Sequence, residues 1–241
     1  MIEPRHYAAG IKLQNGSWWV TGGFKYINKA PSPSLISTEV LSLSINNDLG
    51  LLTFLPGQNL PIGMQSHCIC RLNETHIFLG SGNTNNAYLY NEISNHFTDL
   101  PKLQIPRLRP ACAAVRYNNS NKIIDPAIMV LGGYSLFDQR SSYTIEYIDP
   151  SNLTDVWHLG DELSTPNGWS DGGYISYPNV SSLTLISGLD RNKKLLNHVY
   201  MFNETNQQFD MKIGISQREG VSVALIPDGE LSCDNKTDIM L

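Results

Sequence analysis

Apolar runs that end in small residues recur along this chain, as Trp19-Val20-Thr21-Gly22-Gly23, Ile77-Phe78-Leu79-Gly80-Ser81, Met129-Val130-Leu131-Gly132-Gly133 and Leu185-Ile186-Ser187-Gly188. Aligning Gly22, Gly80, Gly132 and Ser187 gives steps of 58, 52 and 55 residues, the signature of a repeat array. Each run is preceded by another apolar segment, at residues 7–13, 67–72, 111–117 and 174–177. Each is followed by a loop and then by alternating apolar and polar residues at 38–41, 87–90, 144–147 and 198–201. Period-two alternation in runs this short predicts strands rather than helices. A fourth short strand closes each unit with a large aromatic: Phe54, Phe97, Trp157 or Phe209. Four strands per repeat predict the blade of a β-propeller.

Each landmark has a physical reason. A chain that turns sharply after its second strand, against neighbouring backbone, needs glycine, which alone takes positive φ without strain. The ring on the fourth strand fills the wedge between blades. The predicted units run over residues 5–61, 62–106, 107–166 and 167–216, followed by a partial fifth at 217–232 and a tail at 233–241. The fifth holds only one apolar strand, 221–226, so the ring is expected to continue in residues upstream of Met1.

Composition narrows the function classes. With 241 residues and 41% hydrophobic content the chain buries a sizeable core, and 16% charged residues with 19 Gly and 13 Pro suit an all-β domain. A net charge of -5 and the lack of any Lys/Arg-rich run argue against nucleic acid as a partner. The longest apolar runs, 127–131 and 221–226, are far shorter than the roughly 20 residues of a membrane-spanning helix. Residues 1–5 carry no apolar secretion signal. Yet 22 Asn and 35 Ser plus Thr predict about 3 N-x-[ST] acceptors by chance, and seven are present. They are Asn15, Asn73, Asn118, Asn152, Asn179, Asn203 and Asn235. The excess points to a secreted glycoprotein whose leader lies outside this sequence, with a cytoplasmic location as the alternative.

The landmarks together resemble the kelch motif of the galactose oxidase/kelch superfamily: a diglycine after the second strand, Tyr after the third, an aromatic in the fourth and often Arg before the next first strand. Arg5, Arg109 and Arg218 stand where that Arg is expected, and Leu60-Pro61 and Leu100-Pro101 close units in the usual way. Ser81 and Ser187 each replace one Gly, and three Phe stand where Trp is typical. The resemblance implies a kelch-type propeller of about six blades in the full protein.

Propellers host enzymes and binders alike, so function rests on sites. A galactose-oxidase-like copper enzyme needs two His and a Tyr crosslinked to Cys. His6 and His67 open equivalent first strands, but such residues more often hydrogen-bond between blades, and no His pair clusters. Ser170-Asp171-Gly172-Gly173 lacks the spacing and Trp of a sialidase box. The acids fall in turns, Asp125, Asp149 and Asp161 among them, and nominate no catalytic pair. No catalytic residue, cofactor or metal ligand is therefore assigned. The reading is a non-enzymatic extracellular scaffold for a protein or glycan ligand; an intracellular kelch adaptor presenting substrates, or a galactose-oxidase-like enzyme, is the alternative.

Four cysteines, Cys68, Cys70, Cys112 and Cys233, offer one or two disulfides and no C-x-x-C zinc spacing. First strands of successive blades lie side by side, which brings Cys68 or Cys70 near Cys112; of these Cys68–Cys112 is the expected pair, leaving Cys233 for Cys70 or for a partner upstream. The acceptor asparagines lie between first and second strands (Asn15, Asn73, Asn118, Asn179) or third and fourth strands (Asn152, Asn203), turns that share one end of an up-and-down blade. The opposite end carries irregular loops without an acceptor, although Asn83, Asn85, Asn86, Asn192 and Asn197 occupy them. Ligand contacts are expected there, with Arg140, Arg191 and Lys194 as candidates.

Overall fold

The computed structural model describes residues 1–46, 49–119, 122–152, 155–163, 167–177, 182–215, 224–227 and 237–240. Asn179, Asn235, Cys233 and Arg218 lie outside the described residues. Four four-stranded antiparallel sheets follow one another, each with its strands in sequence order. Sheet one contains Ala9–Lys12, Trp18–Thr21, Thr38–Asn46 and Leu49–Pro56; sheet two Cys68–Arg71, His76–Gly80, Ala87–Asn91 and His96–Leu100. Sheet three contains Ala111–Asn119, Lys122–Leu131, Ile145–Ile148 and His158–Leu159; sheet four Gly173–Tyr177, Ser182–Ile186, His198–Asn203 and Gln208–Gly214. The strand expected at 221–226 is found at Ala224–Pro227, and it pairs with Thr237–Met240 in the stretch read as a tail.

The first strands of consecutive sheets lie side by side, which stacks the sheets face to face. Successive side chains of a strand point to opposite faces, so a strand held between two neighbours is apolar at every position. In sheet three, Ala111, Ala113 and Val115 enter the core shared with Leu183, Leu185 and Tyr200 of sheet four. Their alternates Cys112 and Ala114 enter the core shared with Cys68, Cys70 and Phe78 of sheet two. This two-sided burial produces the continuous apolar runs from which the repeat is legible. Aromatics fill the wedges. Trp157 is buried 5.8 Å from Phe78 and donates its indole N–H to the Pro101 carbonyl at 2.7 Å, while Phe97 packs 6.1 Å from Trp19.

Three registers differ from the expectation. The small-residue pair with positive φ is Gly22-Gly23, Ser81-Gly82, Gly132-Gly133 and Ser187-Gly188, so in sheet two it begins one residue after Gly80, which still belongs to a strand. The second member must be glycine because it touches the segment entering its own sheet. A Cβ would lie 2.6 Å from the His6 carbonyl at Gly23 and 2.5 Å from the Ser170 carbonyl at Gly188. The first member tolerates serine, whose hydroxyl bonds the Arg107 carbonyl from Ser81 (3.0 Å) and the Leu196 carbonyl from Ser187 (2.9 Å).

The arginine equivalent to Arg5 is Arg107, not Arg109. Arg5 donates to the Gly22 and Ser37 carbonyls and pairs with Glu39; Arg107 donates to the Gly132 and Thr144 carbonyls and pairs with Glu146. Each carboxylate also accepts two backbone N–H groups upstream of its arginine, from Ile2 and Glu3 or from Gln104 and Ile105. In sheet four Trp169 takes the place of the arginine and donates to the equivalent carbonyl, that of Ser187, at 2.9 Å. Finally, His6 and His67 are not equivalent: His6 lies three residues before the strand Ala9–Lys12, and His67 immediately before Cys68–Arg71.

Candidate functional site

Two residues before each first strand the chain takes a left-handed conformation at a residue other than glycine: Tyr7 (φ 54°), Ser66 (φ 54°), Arg109 (φ 54°) and Asp171 (φ 59°). Such positions cost on the order of 1–3 kcal/mol each and concentrate at functional sites. Backbone hydrogen bonds link them from sheet to sheet, Ser66 N–H to Tyr7 carbonyl at 2.9 Å and Arg109 N–H to Ser66 carbonyl at 2.7 Å. Beneath them the buried Arg5–Glu39 and Arg107–Glu146 struts clamp the segments entering sheets one and three to their own sheets. Burial lowers the Arg107 pKa, and the Glu146 carboxylate opposes that shift.

Three of the four side chains, those of Tyr7, Arg109 and Asp171, converge. The Arg109 guanidinium stands 5.2 Å over the Tyr7 ring and forms an ion pair with Asp171. Asp171 also accepts from the Ser170 hydroxyl at 3.3 Å, which is 2.7 Å from that of Ser141. Phe24 stacks on Tyr7 with centroids 5.8 Å apart and also packs against His6 and Tyr26. Tyr7 and Tyr26 are each more than half exposed, Arg109 is 38% exposed along its side chain, and Asp171 is buried. An arginine held between an aromatic face and a carboxylate, with two tyrosines open to solvent, offers hydrogen-bond donors beside a stacking platform. Just behind Ser66, His67 is buried against the Thr21 hydroxyl at 2.8 Å, its Nδ1 has no partner, and burial lowers its pKa to about 4.

Of the cations singled out in the sequence, Arg191 is the most built in. It stacks 4.4 Å over Tyr143, stands 3.8 Å from Asp138, and keeps Nη1 buried without a hydrogen-bond partner. Arg140 and Lys194 are exposed at the same end of the sheets. The acceptors described lie at the other end: Asn15, Asn73, Asn118 and Asn152 are exposed and Asn203 is half-buried. Loops there meet one another, Gln14 N–H bonding Glu92 at 2.9 Å and Asn118 N–H bonding Gln207 at 3.3 Å.

Cys68, Cys70 and Cys112 are free thiols in one buried cluster, and the Cys112 Sγ lies 3.8 Å from the Tyr174 hydroxyl. Burial pushes the Cys112 thiol well above its usual range. Tyr174 closes this cluster, its hydroxyl accepting the Ile69 N–H at 3.0 Å and donating to the Ile69 carbonyl at 2.9 Å. Among the described residues no group of three or more His, Cys, Asp or Glu side chains has the arrangement to hold a metal ion, and no helix is long and apolar enough to cross a membrane.

No family model and no curated protein matches this chain. Among solved structures it is similar to that of YjhT, with a TM-score of 0.62 and 12% identity, over 91% of this chain and 68% of that one. The fold is propeller-like. At that identity the likeness carries the fold and nothing of activity.

Tyr7 and Ser66 were not singled out from the sequence, Asp171 entered only in the rejected sialidase-box fragment, and Arg109 entered in another role. The four share a position and no chemical type, so no motif marks them. What marks them is their fixed offset from strands whose starts the structure alone defines.

Proposed function

We propose that this chain is a kelch-type propeller segment of a secreted glycoprotein, acting without catalysis to bind a protein or glycan ligand at the end opposite its acceptor asparagines. The observation that carries this reading is the convergence of Tyr7, Arg109 and Asp171 at equivalent left-handed positions. Backbone strain repeated at one structural position, supported by buried ion pairs and aimed at one spot, marks a pre-organised surface. Arg191 and the exposed Arg140 and Lys194 extend the same end with positive charge. The test is a printed array of defined acidic and neutral glycans and acidic peptides, probed with the chain and with Arg109→Ala and Tyr7→Ala. Binding that falls at least tenfold in both variants supports the reading. Binding unaffected by either variant, or no binding to any probe, defeats it.

A second reading draws on the three free, buried cysteines, which suit a reducing compartment and an intracellular adaptor. An endoglycosidase mobility shift of the protein from its natural source argues for secretion. Lack of a shift favours the adaptor.

A further inference from the structure

At the acceptor-bearing end a cleft of about 500 Å³ opens between sheets two and three. That size falls within the roughly 300–1,000 Å³ typical of small-ligand sites. Its wall includes Asn73 itself, the apolar side chains of Ile123, Pro126 and Pro150, and the polar Lys122 and Asp125. Ile123 is half exposed. The Asn73 amide is oriented by its own loop. Its Oδ1 accepts the Thr75 N–H at 2.9 Å, the Thr75 hydroxyl at 3.2 Å and the His76 N–H at 2.9 Å. No described residue accepts a hydrogen bond from its Nδ2. Asn203 differs, because its Nδ2 already donates to Asp210 at 3.1 Å.

We propose that Asn73 is an N-glycosylation site whose first sugars fold back into this cleft, an inference that rests on the secreted reading above. The transfer requires a lipid-diphosphate-linked oligosaccharide. Asn73 Nδ2 attacks the anomeric carbon, and a carbon–nitrogen bond forms as the carbon–oxygen bond to the diphosphate breaks. The lipid diphosphate leaves with the bonding pair, the amide releases one proton to the transferase, and no atom changes oxidation state in net. A pyranose presents apolar C–H faces and hydroxyl edges, and the cleft presents the matching mixture: Ile123, Pro126 and Pro150 for the faces, Asp125 and the Lys122–Asp149 ion pair for the edges. Attachment at the wall makes seating intramolecular, at an effective concentration on the order of millimolar, so weak intrinsic affinity is enough.

The test expresses the full chain behind a secretion leader and maps each acceptor by amidase release in heavy-oxygen water, on native and on denatured protein. The expected result is Asn73 occupied, with native release at least tenfold slower than from the denatured chain, while the Asn15 glycan, on an open hairpin, shows less than threefold difference. Ile123→Ala, an exposed change, should bring the Asn73 ratio below threefold. An unmodified Asn73, or equal release from native and denatured protein, overturns the proposal. Seated sugar in this material together with none on the protein from its natural source refutes the secreted reading and leaves the cleft's affinity for sugar standing.

Discussion

Acid should weaken this fold through one histidine. His67 is buried, its Nε2 is 2.8 Å from the Thr21 hydroxyl, and burial lowers its pKa from 6.5 to about 4. A depressed histidine pKa means that the unfolded chain takes up the proton first, so the stabilisation is fully present above pH 6.5 and is lost as pH falls toward 4. The difference of 6.5 minus about 4 is about 2.5 units, which at 1.36 kcal/mol per unit corresponds to about 3 kcal/mol lost by pH 4. Glu3, Glu39 and Asp149, whose pKa values are lowered, also favour unfolding in acid, so the wild-type curve alone does not isolate His67. Comparison with His67→Gln does, because those carboxylates are common to both proteins and the amide keeps a partner for Thr21. Urea unfolding at half-unit steps from pH 7.5 to 4 gives the free energy of each. The wild-type advantage should be constant above pH 7 and shrink by about 1.4 kcal/mol per unit between pH 6 and 4.5. Parallel profiles for the two proteins would refute the placement of a neutral, buried His67.

Replacing Arg107 by Met should cost about 3–5 kcal/mol by thermal melting, because it strands the buried Glu146 carboxylate, and adding Glu146→Leu should recover part of that loss. Trp157→Ala should cost about 3–5 kcal/mol, whereas Asn192→Ser on an exposed turn should stay within about 0.5 kcal/mol; a Trp157 variant that melts like the parent contradicts its burial. Thiol labelling should leave the buried Cys68, Cys70 and Cys112 unreacted in the native protein and modify all three after denaturation without reductant; a Cys68–Cys112 link found by non-reducing peptide mapping would contradict the free thiols of the structure.

The repeat, the four-strand unit and the wedge aromatics were legible in the sequence because burial on both faces writes an unbroken apolar run for each inner strand, a signal local to a few residues. The separation of acceptor asparagines from the irregular loops was legible for the same reason, since it follows from strand order alone. Registers to a single residue were not. Gly80 and Ser81 both suit a turn, and only the positive φ at Ser81 and Gly82 shows where the strand ends. Nor could sequence separate Arg107 from Arg109, two positions apart in Arg107-Leu108-Arg109. The first is buried against Glu146, a carboxylate 39 residues away, and the second reaches Asp171, 62 residues away, and the Tyr7 ring 102 residues away. The candidate site is therefore a product of tertiary structure. Its members are brought together by the stacking of sheets, each held at the same offset by a backbone strained into the left-handed region, and a chain that meets itself only after whole repeats leaves no trace of that meeting in any local pattern.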